Sequence, residues 1–146
     1  LLTNGNSIKV KIMKKLIASV LALSMLNGCA LIDAYLMTKF DPNEYGLITT
    51  IRAEAQQFKS ECNDNTVSKT NAIKIANNTR TFELYSENIP RNENGQRAAK
   101  SLNEIAQGLN QRYQAGLVSP VFCKLKFESI ENSATVMQHT LGNRPR

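Results

Sequence analysis

Between residues 41 and 146 the chain repeats one pattern four times: a capping residue, a run of apolar side chains at steps of three and four, and a polar stop. Those steps place the apolar residues on one face of a helix, and no segment shows the sustained alternation of a strand. Asp41-Pro42-Asn43-Glu44 opens the first run with a capping carboxylate, a proline suited to the first helical position and an acidic residue three places after the cap. Its face is Tyr45, Ile48, Ile51, Ala55, Phe58 and Cys62. Asn63-Asp64-Asn65-Thr66 ends it and supplies caps for the second run, expected from Ser68 to Asn88 with the face Ala72, Ile75, Ala76, Thr79, Phe82, Tyr85 and Ile89. The third is expected from Asn94 to Ala115 through Ala98, Leu102, Ile105, Leu109 and Tyr113, with Gly116 as its stop. Ser119-Pro120 opens the fourth, whose face is Cys123, Phe127, Ile130, Ala134, Met137 and Leu141 and which stops at Gly142. Four helices with short connections predict an all-α fold, an up-down antiparallel four-helix bundle over residues 41–146.

The start of the chain carries a different signal. Met13 is followed by Lys14 and Lys15, then by an apolar stretch from Leu16 to Leu26, then by Asn27, Gly28 and Cys29. A positive segment, a short apolar core and a small-residue cleavage site make a secretory signal peptide, assigned to residues 13–28. The apolar stretch spans roughly 16 Å as a helix, about half the hydrocarbon core of a bilayer, which disfavours a permanent membrane span.

Leu26-Asn27-Gly28-Cys29 resembles the lipobox of bacterial or phage-encoded membrane lipoproteins. The resemblance covers residues 13–29 and names a processing pathway rather than a family of folds. It implies cleavage between Gly28 and Cys29, a diacylglycerol in thioether linkage to Cys29, and acylation of the new amino terminus; beyond that acyl anchor no cofactor is expected, since no haem-attachment or di-metal motif occurs. By the same resemblance Ala30, standing where an Asp favours retention at the inner membrane, implies the inner leaflet of a Gram-negative outer membrane, facing the periplasm. Residues 1–12 read as upstream over-extension, with a longer basic leader as the alternative. Residues 29–40 are apolar, with Leu31, Ile32, Tyr35 and Leu36, and are expected to hold the domain close to the bilayer.

The remaining cysteines bear on the fold. Cys62 closes the first helix and Cys123 lies in the first turn of the fourth, both on apolar faces. An up-down bundle brings those two helix ends to one level on neighbouring helices. A Cys62–Cys123 disulfide is therefore expected, favoured by export into an oxidising compartment; two buried free thiols are the alternative.

The net charge of +6, from 18 basic and 12 acidic residues, suggests nucleic acid at first sight. Residues 1–28 hold Lys9, Lys11, Lys14 and Lys15 and no acidic residue, which is +4; the rest keeps 14 basic against 12 acidic, or +2. Arg91, Arg97, Lys100, Lys124 and Lys126 are scattered, so nucleic acid is not expected as a partner. Catalysis is not expected either. No HExxH, GxSxG, Walker or CxxC motif occurs, and the single histidine, His139, falls off the apolar face of its helix. The pairs Glu83/Glu87 and Glu128/Glu131 share helical faces and read as solvated surface. Met37 and Met137 read as apolar fill rather than haem ligands, and no metal site is expected.

The sequence thus points to a non-enzymatic, lipid-anchored envelope lipoprotein working through protein contacts, either as an adaptor or as a phage-type blocking or lysis lipoprotein. The polar stretches Asn63–Ser68 and Arg91–Gly95, at the two ends of the bundle, are the candidate recognition loops. The alternative is a ligand-binding helical module that holds a lipid or small amphiphile among Phe58, Phe82, Phe127 and Tyr113.

Overall fold

A computed structural model describes residues 38–146. The expected cleavage site at Gly28, the lipidation site at Cys29, residues 1–12, the signal peptide and positions 29–37, including Met37, lie outside the described residues. The described chain forms four helices: α1 (Pro42–Ser60), α2 (Asn65–Glu87), α3 (Glu93–Gln114) and α4 (Pro120–Gly142).

Three of the four helices start on the side-chain caps that the sequence supplies. Asp41 accepts hydrogen bonds from the backbone N–H groups of Asn43 and Glu44, both at 2.8 Å. Asp64 does the same for Thr66 and Val67 at 2.8 and 3.1 Å, so α2 begins at Asn65, earlier than the apolar face alone suggests. Ser119 accepts from Phe122 N–H at 3.2 Å, with Pro120 at the first helical position. Each cap satisfies donors that have no partner inside the helix. α3 departs from this pattern: Asn92 occupies the cap position but makes no side-chain cap bond, because its amide is turned inward. α3 ends at Gln114 and the chain turns at Gly116, whose φ of +149° suits glycine.

The side-chain contacts define the topology. Glu44 near the start of α1 reaches Ser86 near the end of α2 and Arg144 just beyond α4. At the opposite end Cys62, after α1, is bonded to Cys123 in the first turn of α4. α1 therefore runs antiparallel to both α2 and α4. Along the α2–α3 contact, Glu83 meets Asn103 while Ala76, earlier in α2, meets Gln107, later in α3, so this pair is antiparallel too. α1 packs most extensively on α4, and α2 on α3; the α1–α2 and α3–α4 contacts are narrower. The fold is the up-down four-helix bundle, closed by one disulfide.

Ile48, Ile51, Ile75, Phe82, Leu102, Leu109, Phe127 and Ile130 fill the centre and are almost wholly withdrawn from water. Full burial of such a side chain contributes about 1.5–3 kcal/mol. Buried alanines at 55, 72, 76, 99, 106 and 134 let the helix backbones approach between these large residues. Two expected faces shift. On α3, Ala99 and Ala106 are buried while Ala98 and Ile105 lie at the margin. Tyr85 on α2 is only half-buried, and Ile89, expected on the same face, lies beyond the helix end and is half-buried too.

The disulfide joins positions 61 apart, with Cα atoms 5.7 Å from each other. Constraining a loop of that length in the unfolded chain stabilises the fold by roughly 4 kcal/mol. Replacing both Cys62 and Cys123 by Ala should lower the unfolding free energy, read from urea melts, by up to that amount while leaving a helical circular-dichroism spectrum. Non-reducing peptide mapping of the unaltered chain should recover one linked Cys62–Cys123 peptide.

Candidate functional site

The end of the bundle where the chain enters is organised around a buried carboxylate. Glu44 is 1% exposed. Its Oε1 accepts from Ser86 Oγ and Asn92 Nδ2, both at 3.0 Å, and its Oε2 accepts from Arg144 Nη1 at 2.5 Å. Arg144 Nη2 also donates to Asn92 Oδ1 at 2.7 Å, and Asn92 Nδ2 donates to the Ser86 carbonyl at 3.1 Å. One acid thereby ties together the first turn of α1, the last turn of α2, the α2–α3 connection and the C-terminal tail. Gly95 is required beside it, since a Cβ there would stand 2.1 Å from Asn92 Oδ1. The tail is held further by Phe40 N–H donating to Pro145 O at 2.8 Å and by Arg146 lying 5.2 Å from the Phe40 ring centre. Thr38 Oγ1 donates to the Arg91 carbonyl.

Glu44 thus does not perform the reciprocal capping that its position three residues after Asp41 suggests. Its side chain turns inward, because Arg144 and Asn92 offer it a buried cation and amide. The stretch Arg91–Gly95 is correspondingly not all presented to solvent: Asn92 is 2% exposed. At the other end Ser68 is buried, with Oγ donating to the Asp64 carbonyl at 2.7 Å, while Asn63 and Thr66 are exposed.

A second polar group lies between α2 and α3. Thr79 Oγ1 stands 3.0 Å from the Ala76 carbonyl and 3.1 Å from Asn103 Oδ1, and Asn103 Nδ2 donates to Glu83 Oε2 at 2.6 Å. Arg80 pairs with the same carboxylate oxygen at 2.8 Å. Glu83 is therefore buried, with Oε2 held by Asn103 and Arg80, in contrast to the solvated surface that its spacing from Glu87 suggests. Glu131 pairs with Lys59 across α1 and α4 at 2.7 Å; that hydrogen bond, the main cause, raises the Lys59 pKa. Glu61 accepts from Gln57 at 3.0 Å and Asn71 at 2.5 Å. These two bonds, with that from Gln57 foremost, hold its carboxyl below the ordinary 4.5 against the opposing effect of partial burial. Among the described residues, no group of three or more His, Cys, Asp and Glu could hold a metal ion, and no helix is long and apolar enough to cross a membrane. His139 is exposed beside Asn143.

The aromatic residues expected to line an internal pocket are packed against core. Phe82 and Phe127 are fully buried, and the rings of Phe58 and Phe127 meet edge-on with centres 5.7 Å apart. A cavity does open at the disulfide end, and of those four aromatics it touches Tyr113 alone. The same end exposes apolar side chains: Leu117 is 84% exposed, and Val121 and Leu125 follow on one face at the start of α4. Periodicity singled out Tyr113 as core, but nothing in the sequence marked Asn65, Lys69 and Leu117 as its neighbours.

No protein-family model, curated protein sequence or solved structure matches this chain. Its chemistry is therefore read from its own residues.

Two measurements test the polar groups. Arg144→Ala leaves the Glu44 carboxylate buried without its cation and should cost about 3–5 kcal/mol in urea unfolding; adding Glu44→Gln together with Arg144→Met should recover much of that loss. The depressed Glu61 pKa adds stability that is present above the unfolded-state pKa and fades as pH falls through the folded-state value. Asn71→Ala should move the Glu61 carboxyl titration, followed by NMR, back toward 4.5 and shrink that acid-side loss.

Proposed function

We propose that this chain is a non-enzymatic lipoprotein of the bacterial cell envelope, anchored by lipid on Cys29 and acting through protein contacts at the periplasmic face of a membrane. The observation that carries this reading is Met13–Cys29: two lysines, an apolar stretch too short to span a bilayer, and a cysteine directly after Asn27-Gly28. The disulfide supports it in two ways. It takes two of the three cysteines in the chain, and the third is the one in the lipobox position. A structural disulfide is also at home in an oxidising, exported setting.

The described domain suits a role in contacts rather than chemistry. Its buried carboxylates, Glu44 and Glu83, accept from Arg, Asn and Ser donors that hold segments of the bundle together. Three of the four most exposed large apolar side chains among the described residues, Leu117, Val121 and Leu125, lie toward the disulfide end, and the fourth, Val136, lies toward the other. Thr38, where the described domain begins, follows Cys29 by nine positions, which leaves little length for a tether between lipid and bundle. With Ala30 after the cysteine, the inner leaflet of the outer membrane is the proposed location. A compact domain on a short tether fits an adaptor or a blocking lipoprotein that meets its partner near the membrane surface.

One experiment decides the anchor. Cys29→Ser in the full chain should abolish labelling by radioactive palmitate and move the protein from the membrane fraction to the soluble periplasmic fraction. Labelling or membrane retention that persists in the variant removes the lipid-anchor reading.

A further inference from the structure

The most exposed apolar face among the described helices belongs to α4. Val121, Leu125 and Val136 are 68%, 60% and 68% exposed. At about 100° per residue these three fall within an arc of about 60°, on the side away from the buried Phe127, Ile130 and Ala134. Asn132 lies in the same arc and is exposed. The stripe runs about 22 Å along the helix, from its first turn into its last two. No large apolar side chain of α1 or α3 is as exposed, and the outer face of α3 carries Arg97, Lys100 and Glu104. On α2, Ile73 and Leu84 are less than half exposed. Apolar residues scattered singly over a surface are ordinary, whereas several on one arc of one helix mark a contact face.

The length of chain before the bundle limits what can cover this face. The chain enters at the end of the bundle where α4 finishes, since Phe40 N–H donates to Pro145 O at 2.8 Å. Cys29 precedes Thr38 by nine positions, a reach of about 30 Å when extended. A bundle laid on α4 holds Thr38 at most two helix diameters, or about 24 Å, above the supporting surface, which is inside that reach. The face is also small. Three separated aliphatic side chains fall well short of the roughly 1,000 Å² that a stable protein interface buries. A bilayer kept beside them by a lipid anchor needs no such area, because the tether makes its local concentration high. Lys124 and Lys126 border Val121 and Leu125, and their stems are long enough to carry the ammonium groups to lipid phosphates. Of the two acids of α4, Glu131 is paired with Lys59 and Glu128 stands one turn after Lys124.

We propose that the outer face of α4 lies on a phospholipid bilayer, so that the bundle rests along the membrane rather than standing on it. Val121, Leu125 and Val136 enter the boundary between headgroups and acyl chains, and Lys124 and Lys126 meet lipid phosphates. The contact is that of an amphipathic helix lying in the surface plane. α2 stands diagonally across the bundle from α4, each flanked by α1 and α3, and so faces away from the bilayer. The inference rests on the lipid anchor proposed above, which supplies the nearness, and the experiment reads the two separately.

The chain contains no tryptophan, so a single substitution reports on one position. Leu125→Trp, Val136→Trp and, as the control on α2, Ile73→Trp should be made in the full chain. Each is produced in bacteria, so that Cys29 is processed, and reconstituted with vesicles of equal parts phosphatidylethanolamine and phosphatidylglycerol. Flotation with the vesicles reads the anchor; quenching by lipids brominated along their acyl chains reads the face. Leu125→Trp and Val136→Trp should each lose about half of their emission, and Ile73→Trp almost none. Leu125→Asp added to Val136→Trp should cut the quenching about threefold while flotation and the helical circular-dichroism spectrum stay unchanged, since Leu125 is exposed. Flotation with equal quenching in all three variants, or with undiminished quenching after Leu125→Asp, overturns the inference and leaves the anchor standing. Flotation without quenching in Leu125→Trp and Val136→Trp does the same, and a blue-shifted emission then assigns the face to a second copy or another protein. Failure to float removes the anchor and, with it, the inference that depends on it.

Discussion

The carboxylate of Glu44 is the constraint on which the entry end of the bundle depends. At 1% exposure it has given up its water, and an uncompensated buried charge of this kind is prohibitively costly. The compensation comes from Ser86, Asn92 and Arg144, which belong to α2, the α2–α3 connection and the C-terminal tail. None of those segments can leave without exposing the charge to an apolar surrounding. The network therefore acts on specificity: it selects the one arrangement in which three chain segments converge on α1. Gly95 and the uncapped start of α3 are its local consequences, since the Asn92 amide serves Glu44 in place of its own helix.

The disulfide performs the matching task at the other end. α1 and α4 are bonded at Cys62–Cys123, joined midway by Lys59–Glu131, Arg52–Gln138 and Thr49–Gln138, and closed by Glu44–Arg144. The seam thus pairs the first and last helices of the chain along their whole length, contacts that are distant in sequence and slow to find by chance. The α2–α3 seam is local and is held by the Thr79–Asn103–Glu83 group over a dense alanine and leucine core. Leu117, the most exposed of the large apolar side chains among the described residues, stands where the α3–α4 connection meets α2.

The helices were legible because their signal is repeated and local. Asp41-Pro42 and Ser119-Pro120 cap where they stand, and Ile48, Ile51, Ala55 and Phe58 reveal their face by spacing alone. The polar interior was not legible. Glu44 reads as a capping acid and Glu83 as a surface acid, since an acidic side chain carries no mark of the partner that will receive it. On α3 the spacing points to Ala98 and Ile105 where the structure buries Ala99 and Ala106 beside Leu102 and Leu109, because alanine adds little to a hydrophobic pattern and the buried Asn103 subtracts from it. Neither the cavity nor its lining could be foreseen, as Lys69 and Leu117 lie far apart in the chain and meet only across two helix ends.

The sequence by itself determined four helices, their order and direction, and the pairing of Cys62 with Cys123. It also supplies the whole case for a lipid on Cys29, because caps, apolar spacing and cleavage signals act through neighbouring residues. Tertiary structure decided which polar side chains enter the core and which remain unsatisfied at its edge. Glu44 became a structural keystone and Tyr113 an unpartnered donor for the same reason: burial removes water from a polar group, and only the neighbours that folding delivers can replace it.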